Sequence, residues 1–286
     1  MKYIELRNGV KMPMLGYGTL QIKQSCVTQC VLEALENGYR LIDTAASYLN
    51  EEGIGKAIQQ SHVPRKEIFL TTKVWVQDAG YEKTIQAFET SLKKLQTNYI
   101  DLYLIHQPYG DYYGSWRAME ELYQQGKIRA IGVCNFSAER LVDLCLNSHI
   151  QPMVNQIEIH PFFQQKELLE VMEKYQCLPQ AWGPLNEGQR HIFTNLVLTN
   201  IASQYHKTVS QVILRWHYQK GLITIPKTIH PKRMKENINI WDFSLNEEDM
   251  KRIENMDLGY SEIINHQSYT TAKWLNKYKI HDEEEK

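Results

Sequence analysis

Apolar and polar positions along this chain alternate between two kinds of pattern. Short runs rich in β-branched and aromatic residues predict eight strands: MLGYGT, YRLIDTA, IFLTTKV, IDLYLIH, IRAIGV, MVNQIEI, LPQAWGP and LITIPKT. Between most of them apolar residues return every three or four positions, which predicts helices in CVTQCVLEALENG, TIQAFETSLKKLQ, WRAMEELYQQG, LLEVMEKYQ and TVSQVILRWHYQKG. Several of these close on glycine or asparagine, as helix ends prefer. Strict alternation argues for a parallel sheet. An open doubly wound sheet shares the pattern, but eight strand-helix units without a composition break or a Pro/Gly/Ser linker fit a closed barrel better. The expected fold is α/β, a (β/α)8 TIM barrel forming one domain over residues 1–280.

Two pieces fall outside the repeat. YIELRNGVKMPML reads as an N-terminal β-hairpin capping the bottom of the barrel, with Asn8-Gly9 as a tight two-residue turn. Near the other end, WDFSLNEEDMKRIENMD predicts an extra helix with Asn246 as its N-cap. Residues 259–280 are aromatic but poorly periodic, a C-terminal loop, and 281–286 form an acidic tail exposed to solvent.

Composition narrows the function classes. With 43% hydrophobic and 23% charged residues, the chain of 286 has the make-up of a globular protein. A formal net charge of −1 gives no whole-molecule attraction to nucleic acid or an anionic membrane, so any anion site must be local. No apolar run approaches the roughly 20 residues of a membrane helix, and MKYIELRNGVKMP lacks a signal peptide's apolar core, so a cytoplasmic monomer is expected. Cys26, Cys30, Cys134, Cys145 and Cys177 contain no CxxC pair, so neither disulfides nor a metal are expected. Cys26 and Cys30 read as two small side chains on one helix face. No G-x-G-x-x-G follows a strand, which argues against a Rossmann site.

In a parallel barrel the active site gathers at the C-terminal ends of the strands. LID ends at Asp43 and leads through TAAS to Tyr48, IFLTT ends at Lys73, and DLYLI ends at His106. Singly, Asp43 reads as a helix cap, Lys73 as a solvated strand end, His106 as a strand terminator and Tyr48 as packing. Together they suit proton donation to an alkoxide as hydride reaches a carbonyl. A free phenol has a pKa of about 10, and an ammonium group nearby is expected to lower it. Asp43 would hold Lys73, and His106 would hydrogen-bond the carbonyl oxygen.

The stretches LIDTAASY, TTKVW, DLYLIHQP, GKIRAIGVCNFS, VNQIEIHP and IPKTIHPKRMKEN resemble the signatures of the aldo-keto reductases, across nearly the whole chain. That resemblance implies a catalytic tetrad of Asp43, Tyr48, Lys73 and His106, NADPH as cofactor and a small-molecule carbonyl substrate. It places Lys227, Thr228 and Arg233 on the 2′-phosphate and Glu236 and Asn237 at the adenine. Independently, the helix N-terminus after the last strand is a favourable phosphate site. By the same resemblance Asn135 and Gln156 hold the carboxamide, Trp182 stacks on the nicotinamide, and Gly18, Thr19, Leu20, Asp43, Cys134, Gly183, Pro184 and Leu185 line the cofactor.

The chain departs from the family at Cys134, where serine is usual, and at Leu49, Gln107 and Gly183, where glycine, tryptophan and serine are common. Cys134 is also a candidate for oxidation beside the cofactor. Tyr48, Trp75, His106 and Tyr109 are expected at the substrate, with Leu20, Tyr112, Tyr113 and Trp274 as further walls. Rival readings are a noncatalytic nucleotide-binding barrel, an NADH-using enzyme and a metal-dependent barrel hydrolase.

Overall fold

The computed structural model describes residues 1–282. An antiparallel pair, β1 (Tyr3–Glu5) and β2 (Lys11–Pro13), precedes eight parallel strands: β3 (Tyr17–Gly18), β4 (Leu41–Asp43), β5 (Phe69–Val74), β6 (Leu102–Ile105), β7 (Ile131–Cys134), β8 (Val154–Glu158), β9 (Leu178–Trp182) and β10 (Ile223–Thr224). The eight lie side by side in chain order. Leu15 bridges Thr224, and Gly16 N–H donates to Thr224 O at 2.8 Å, which closes the ring. Gly18 N–H continues the seam to Pro226 O at 3.1 Å, where a Cβ on Gly18 would meet Ile225 O at 2.8 Å. Only glycine fits so close an approach of two backbones.

Helices α1 (Gln24–Glu36), α2 (Glu51–Gln60), α3 (Tyr81–Leu95), α4 (Tyr112–Gln124), α5 (Ala138–Leu146), α6 (Lys166–Lys174), α7 (Leu196–Gln204) and α8 (Val209–Gln219) connect and cover the strands. Covered by helices outside and packed on each other inside, the strands are buried on both faces. Every residue of β5 is buried, although the strand reads FLTTKV. Its threonines sit where a uniformly apolar strand would be expected, and Thr72 Oγ1 donates to the buried Glu51 Oε1 at 2.7 Å.

The hairpin differs in detail from the expected turn. Leu6 N–H bonds Val10 O at 2.9 Å and Gly9 N–H bonds Leu6 O at 2.8 Å, and of Asn8 and Gly9 only Gly9 has a positive φ, +81°. Arg7, Asn8 and Gly9 therefore form a three-residue loop with a left-handed third position. Asn8 faces other work: its Nδ2 donates to Arg129 O at 2.9 Å, just before β7, tying the hairpin to the N-terminal end of the barrel. After β10 come α9 (Pro231–Ile238) and α10 (Glu247–Glu254), the latter capped as expected by Asn246, which accepts from Asp249 N–H at 2.8 Å.

The aromatic stretch that lacked periodicity does contain a helix, α11 (Tyr269–Lys277), started by Ser268. It belongs to a strap that crosses the opposite, C-terminal mouth. Ser261 Oγ donates to Glu158 Oε2 (2.7 Å), Tyr109 OH to His266 O (2.5 Å) and Trp75 Nε1 to Tyr278 O (2.8 Å). His281 Nε2 pairs with Asp78 Oδ1 at 2.8 Å, so the start of the expected acidic tail is tied down; residues 283–286 of it lie outside the described residues.

At the bottom, Asp101 is buried between two guanidinium groups, with Arg65 Nη1 at 2.8 Å and Arg129 Nη1 at 2.6 Å, and it accepts Leu70 N–H at 3.0 Å. Removing one partner of such a cluster leaves charge without compensation, which costs about 3–5 kcal/mol when fully buried and less as water reaches the arginines. Asp101→Ala is expected to lower unfolding free energy by about 3 kcal/mol in urea titrations; a loss under about 1 kcal/mol would contradict this account.

Candidate active site

Four side chains singled out from the sequence meet at the C-terminal mouth. Asp43 ends β4, Lys73 is the penultimate residue of β5, and His106 follows β6 directly. Tyr48 closes a single 3-10 turn, residues Ala46–Tyr48, after β4. The next residue, Leu49, adopts the left-handed region at φ 55°. A branched side chain there costs about 1–2 kcal/mol and persists only if its surroundings dictate the conformation. Asn50 does so: fully buried, it accepts from Thr44 Oγ1 (3.0 Å) and donates to Thr19 O (2.9 Å) and Ile22 O (3.0 Å). The glycine common at the Leu49 position is thus replaced without losing the turn.

Lys73 is completely buried, which rules out the solvated strand end. All three ammonium hydrogens have acceptors: Asp43 Oδ1 at 2.5 Å, Thr44 O at 2.9 Å and the Tyr48 hydroxyl at 3.2 Å. Asp43 Oδ2 accepts in turn from Gln156 Nε2 at 2.7 Å, and that amide also meets Gln180 Oε1 at 3.0 Å. Burial disfavours the charge on Lys73, but Asp43, Tyr48 and Cys134 together outweigh it and hold the lysine above its ordinary pKa. Burial pushes the Asp43 carboxyl up, and Lys73 and the Gln156 amide act against that; three oxygen acceptors around Nζ fit the ammonium–carboxylate form of the pair.

One expectation fails. Tyr48 is not made more acidic than free tyrosine: burial pushes its phenol up to about 12, the charge of Asp43 acts the same way, and Lys73 offsets only part of this. The competition is between desolvation and a neighbouring ammonium that is itself paired with Asp43. The hydroxyl therefore keeps its proton at neutral pH. An alkoxide is still a much stronger base than a phenolate, so transfer from Tyr48 to an alkoxide remains downhill.

His106 stands beside this pair, its ring 5.6 Å from Tyr48 and 5.1 Å from Trp75, both edge-on. Burial first, then Lys73 and His266, push its pKa well below the ordinary histidine value, so it is neutral. Ser47 Oγ lies 3.2 Å from Nδ1, which leaves Nε2 for another partner. In the tautomer whose Nδ1 accepts from Ser47, Nε2 carries the hydrogen and is the free donor.

The residues expected around a nucleotide divide into two groups. Asn135, left-handed at φ 61°, donates through Nδ2 to His106 O at 3.1 Å and accepts at Oδ1 from Trp182 Nε1 at 2.8 Å. Each amide atom retains a second hydrogen or lone pair. Gln156 sits behind Asp43, and Trp182 is half-buried with Gly183 after it at φ +58°. A left-handed residue favours glycine over serine here, which accounts for that departure. Cys134 is buried at the end of β7, and burial pushes its thiol up, which closes the thiolate route to oxidation. Gly18 and Thr19 lie against Asp43, with Thr19 Oγ1 donating to Asp43 O at 2.9 Å, whereas Leu20 stands 41% exposed. Pro184 is buried and Leu185 half-buried at the start of the next loop.

The second group surrounds the N-terminus of α9. Pro231 occupies its first turn and no side chain caps it, so backbone N–H groups are open there. Lys227 and Arg233 are exposed and make no ion pair among the described residues, Thr228 and Asn237 are buried, and Glu236 is half-buried. Open N–H groups and free cations at one spot suit a phosphate.

The further expected walls have neighbours of their own. Tyr112 and Tyr113 stack on each other with centroids 4.8 Å apart, and Tyr113 donates to Asp143 on α5, while Trp274 on α11 is 56% exposed. Ser47, Asn50, Gln180 and His266 were not anticipated. Among the described residues no group of three or more His, Cys, Asp or Glu is placed to hold a metal ion, and no helix is long and apolar enough to cross a membrane.

Comparison with known proteins converges on one family. A model described as the aldo/keto reductase family matches residues 13–258. Glyoxal reductase of Bacillus subtilis is 50% identical over 253 residues, covering 88% of this chain and 91% of the relative. Methylglyoxal reductase DkgA of Escherichia coli is 42% identical over 259 residues, covering 90% and 94%. A solved structure of a Gox0644 mutant in complex with NADPH superposes with a TM-score of 0.89 at 38% identity, covering 97% of this chain and 98% of that one.

The neutrality of His106 has a measurable consequence. The unfolded chain takes up a proton at this residue below about pH 6.5 and the folded chain does not, so stability falls as the pH is lowered, by up to about 1.4 kcal/mol per unit. His217, pushed by burial to about 3, acts in the same direction. His106→Gln is expected to flatten the dependence of unfolding free energy between pH 7 and 5 by up to that one-proton slope. Urea denaturation at pH 7, 6 and 5 measures it, and an unchanged slope would show that His106 charges in the folded protein.

Proposed function

The chain belongs to the aldo/keto reductase family, and from that membership we propose that Tyr48 is the proton donor of the reaction it catalyses. The protein is an NADPH-dependent oxidoreductase that converts aldehydes or ketones to alcohols. Its substrates are small carbonyl compounds; glyoxal- and methylglyoxal-like aldehydes are the class suggested by its relatives. We take it to act as a cytoplasmic monomer, with residues 1–280 as one functional unit.

NADPH supplies the hydride that reaches the carbonyl carbon. The protein's own part begins with two donors at the carbonyl oxygen, the Tyr48 hydroxyl and His106 Nε2, which polarise it and favour charge developing there. As the oxygen gains charge, Tyr48 passes its proton to it. The phenolate left behind faces Lys73 Nζ, 3.2 Å away, which is what stabilises it for long enough to be reprotonated. Lys73 therefore acts on the product side of proton transfer more than on the resting acidity of Tyr48. Asp43 keeps the ammonium charged and aimed, and Gln156 keeps Asp43 aimed. The observation that carries this reading is the sharing of one buried ammonium among Asp43, Thr44 O and the Tyr48 hydroxyl.

The cofactor fits the residues present. Lys227, Thr228 and Arg233 at the open turn of α9 would hold the 2′-phosphate, with Glu236 and Asn237 at the adenine. Asn135 and Gln156 would meet the carboxamide, Trp182 would stack on the ring, and Gly18, Thr19, Leu20, Asp43, Cys134, Gly183, Pro184 and Leu185 would line the groove between. Trp75 and Tyr109, joined to the strap, would wall the substrate.

Tyr48→Phe is expected to cut NADPH oxidation with methylglyoxal by about 10³-fold, since positioned proton transfer is worth roughly 10²–10⁴. Cofactor affinity, followed by NADPH fluorescence, should stay within about threefold; a variant retaining a tenth of the activity would remove Tyr48 as donor. Arg233→Ala should weaken NADPH binding by roughly 10–100-fold, the worth of a charge-assisted hydrogen bond, and leave NADH binding unchanged. Equal weakening of both nucleotides would place the phosphate elsewhere.

A further inference from the structure

Gln156 and Gln180 stand side by side in register on β8 and β9, and both are buried. Gln156 Nε2 lies 2.7 Å from Asp43 Oδ2, and a carboxylate oxygen only accepts, so the atom that faces it is the amide nitrogen. The Gln180 atom 3.0 Å from the same nitrogen is then an oxygen, Oε1, which takes the second hydrogen. Both hydrogens of a primary amide lie in the amide plane. Two acceptors therefore fix that plane, and with it the direction of Gln156 Oε1, which accepts no hydrogen bond among the described residues. With Asp43 alone, the amide would be free to turn about a single N–H···O contact. Gln180 is also a costly occupant of the barrel interior. Its own Nε2 is buried with no hydrogen-bond partner among the described residues, a loss that an apolar side chain of the same size would avoid. Packing does not account for it; the one atom of its amide with a partner is the oxygen on Gln156.

We propose that Gln180 is a positioning residue for the cofactor, holding the plane of the Gln156 amide so that Oε1 is aimed at the N–H groups of the nicotinamide carboxamide. This rests on the placement of Gln156 at the carboxamide. Gln180 touches neither the cofactor nor the reacting atoms and acts only through its neighbour. Asp43 meets Gln156 on one side and Lys73 on the other, so the same amide links the nicotinamide to the ammonium beside Tyr48. Gln180 supplies the second contact that sets the angle of that link.

The test titrates the full-length protein with NADP+ and with its 3-acetylpyridine analogue, in which a methyl ketone replaces the carboxamide and no N–H remains. Gln180→Met, similar in size but without the acceptor, should weaken NADP+ binding about fivefold, as loss of one well-aimed hydrogen bond predicts, and binding of the analogue by less than about twofold. Its urea midpoint should stay at the wild-type value, because the substitution also removes the unpaired donor. Equal weakening of both nucleotides would mark Gln180 as a support for the barrel and overturn the proposal, and so would unchanged affinity for both. Gln156→Met separates the proposal from its premise. If that variant weakens both nucleotides alike, the placement of Gln156 at the carboxamide fails and the proposal with it; if it weakens NADP+ selectively while Gln180→Met does not, the role of Gln180 alone is overturned.

Discussion

The arrangement depends on a lysine that the fold takes completely out of water. Isolated, a buried ammonium is expensive enough to lose its proton instead. Lys73 keeps it because Asp43 lies at 2.5 Å and because its other two hydrogens also find oxygens. That requirement reaches outward. Asp43 must stay ionised, so Gln156 donates to it from β8; Thr44 O must face the lysine, so the turn after β4 is locked by Asn50. A left-handed Leu49 is the local strain this locking sustains.

The same pair explains why Tyr48 is a proton store more than an acid of lowered pKa. In water a neighbouring ammonium would pull a phenol's pKa down. Inside this site the ammonium's field is largely spent on Asp43, and the loss of hydration acts on Tyr48 without such compensation. With Tyr48 in its proposed role as donor, the reaction tolerates this because the group to be protonated is an alkoxide, a stronger base than any phenolate. What matters is that the proton is present and that the resulting phenolate has a cation beside it. His106, neutral through burial and through repulsion from Lys73, adds a donor without competing for that proton.

Much of this was legible from residue order alone, and the parts that were not have identifiable causes. Strands buried on both faces leave unbroken apolar runs, so the barrel could be read without a structure. Polar residues interrupting those runs at their C-terminal ends, Asp43, Lys73 and His106, stand out for the same reason. Tyr48 is reached only through a four-residue turn, and its place at Lys73 depends on Asn50, a buried asparagine that no periodicity distinguishes. The direction of its pKa shift was hidden too, since sequence reports which charges are neighbours and not how much water is removed. Asn8-Gly9 marks a hairpin correctly but does not select between two- and three-residue loops; the pairing of Leu6 with Val10 does.

The strap is where pattern reading had least to offer, and that follows from how it is held. Two of its contacts are hydrogen bonds from barrel side chains to its backbone, Tyr109 to His266 O and Trp75 to Tyr278 O, while Ser261 and His281 dock by their side chains on Glu158 and Asp78 and Leu275 is buried with Trp75 and Val76. Backbone acceptors impose no residue type, so the side chains at those two positions are free to differ without loss of these bonds. The proposed catalytic groups Asp43, Lys73 and His106, by contrast, stand at strand ends, where burial and paired charge constrain identity. A barrel built this way can change what it accepts at the mouth while Lys73 and Asp43 continue to constrain what happens beneath it.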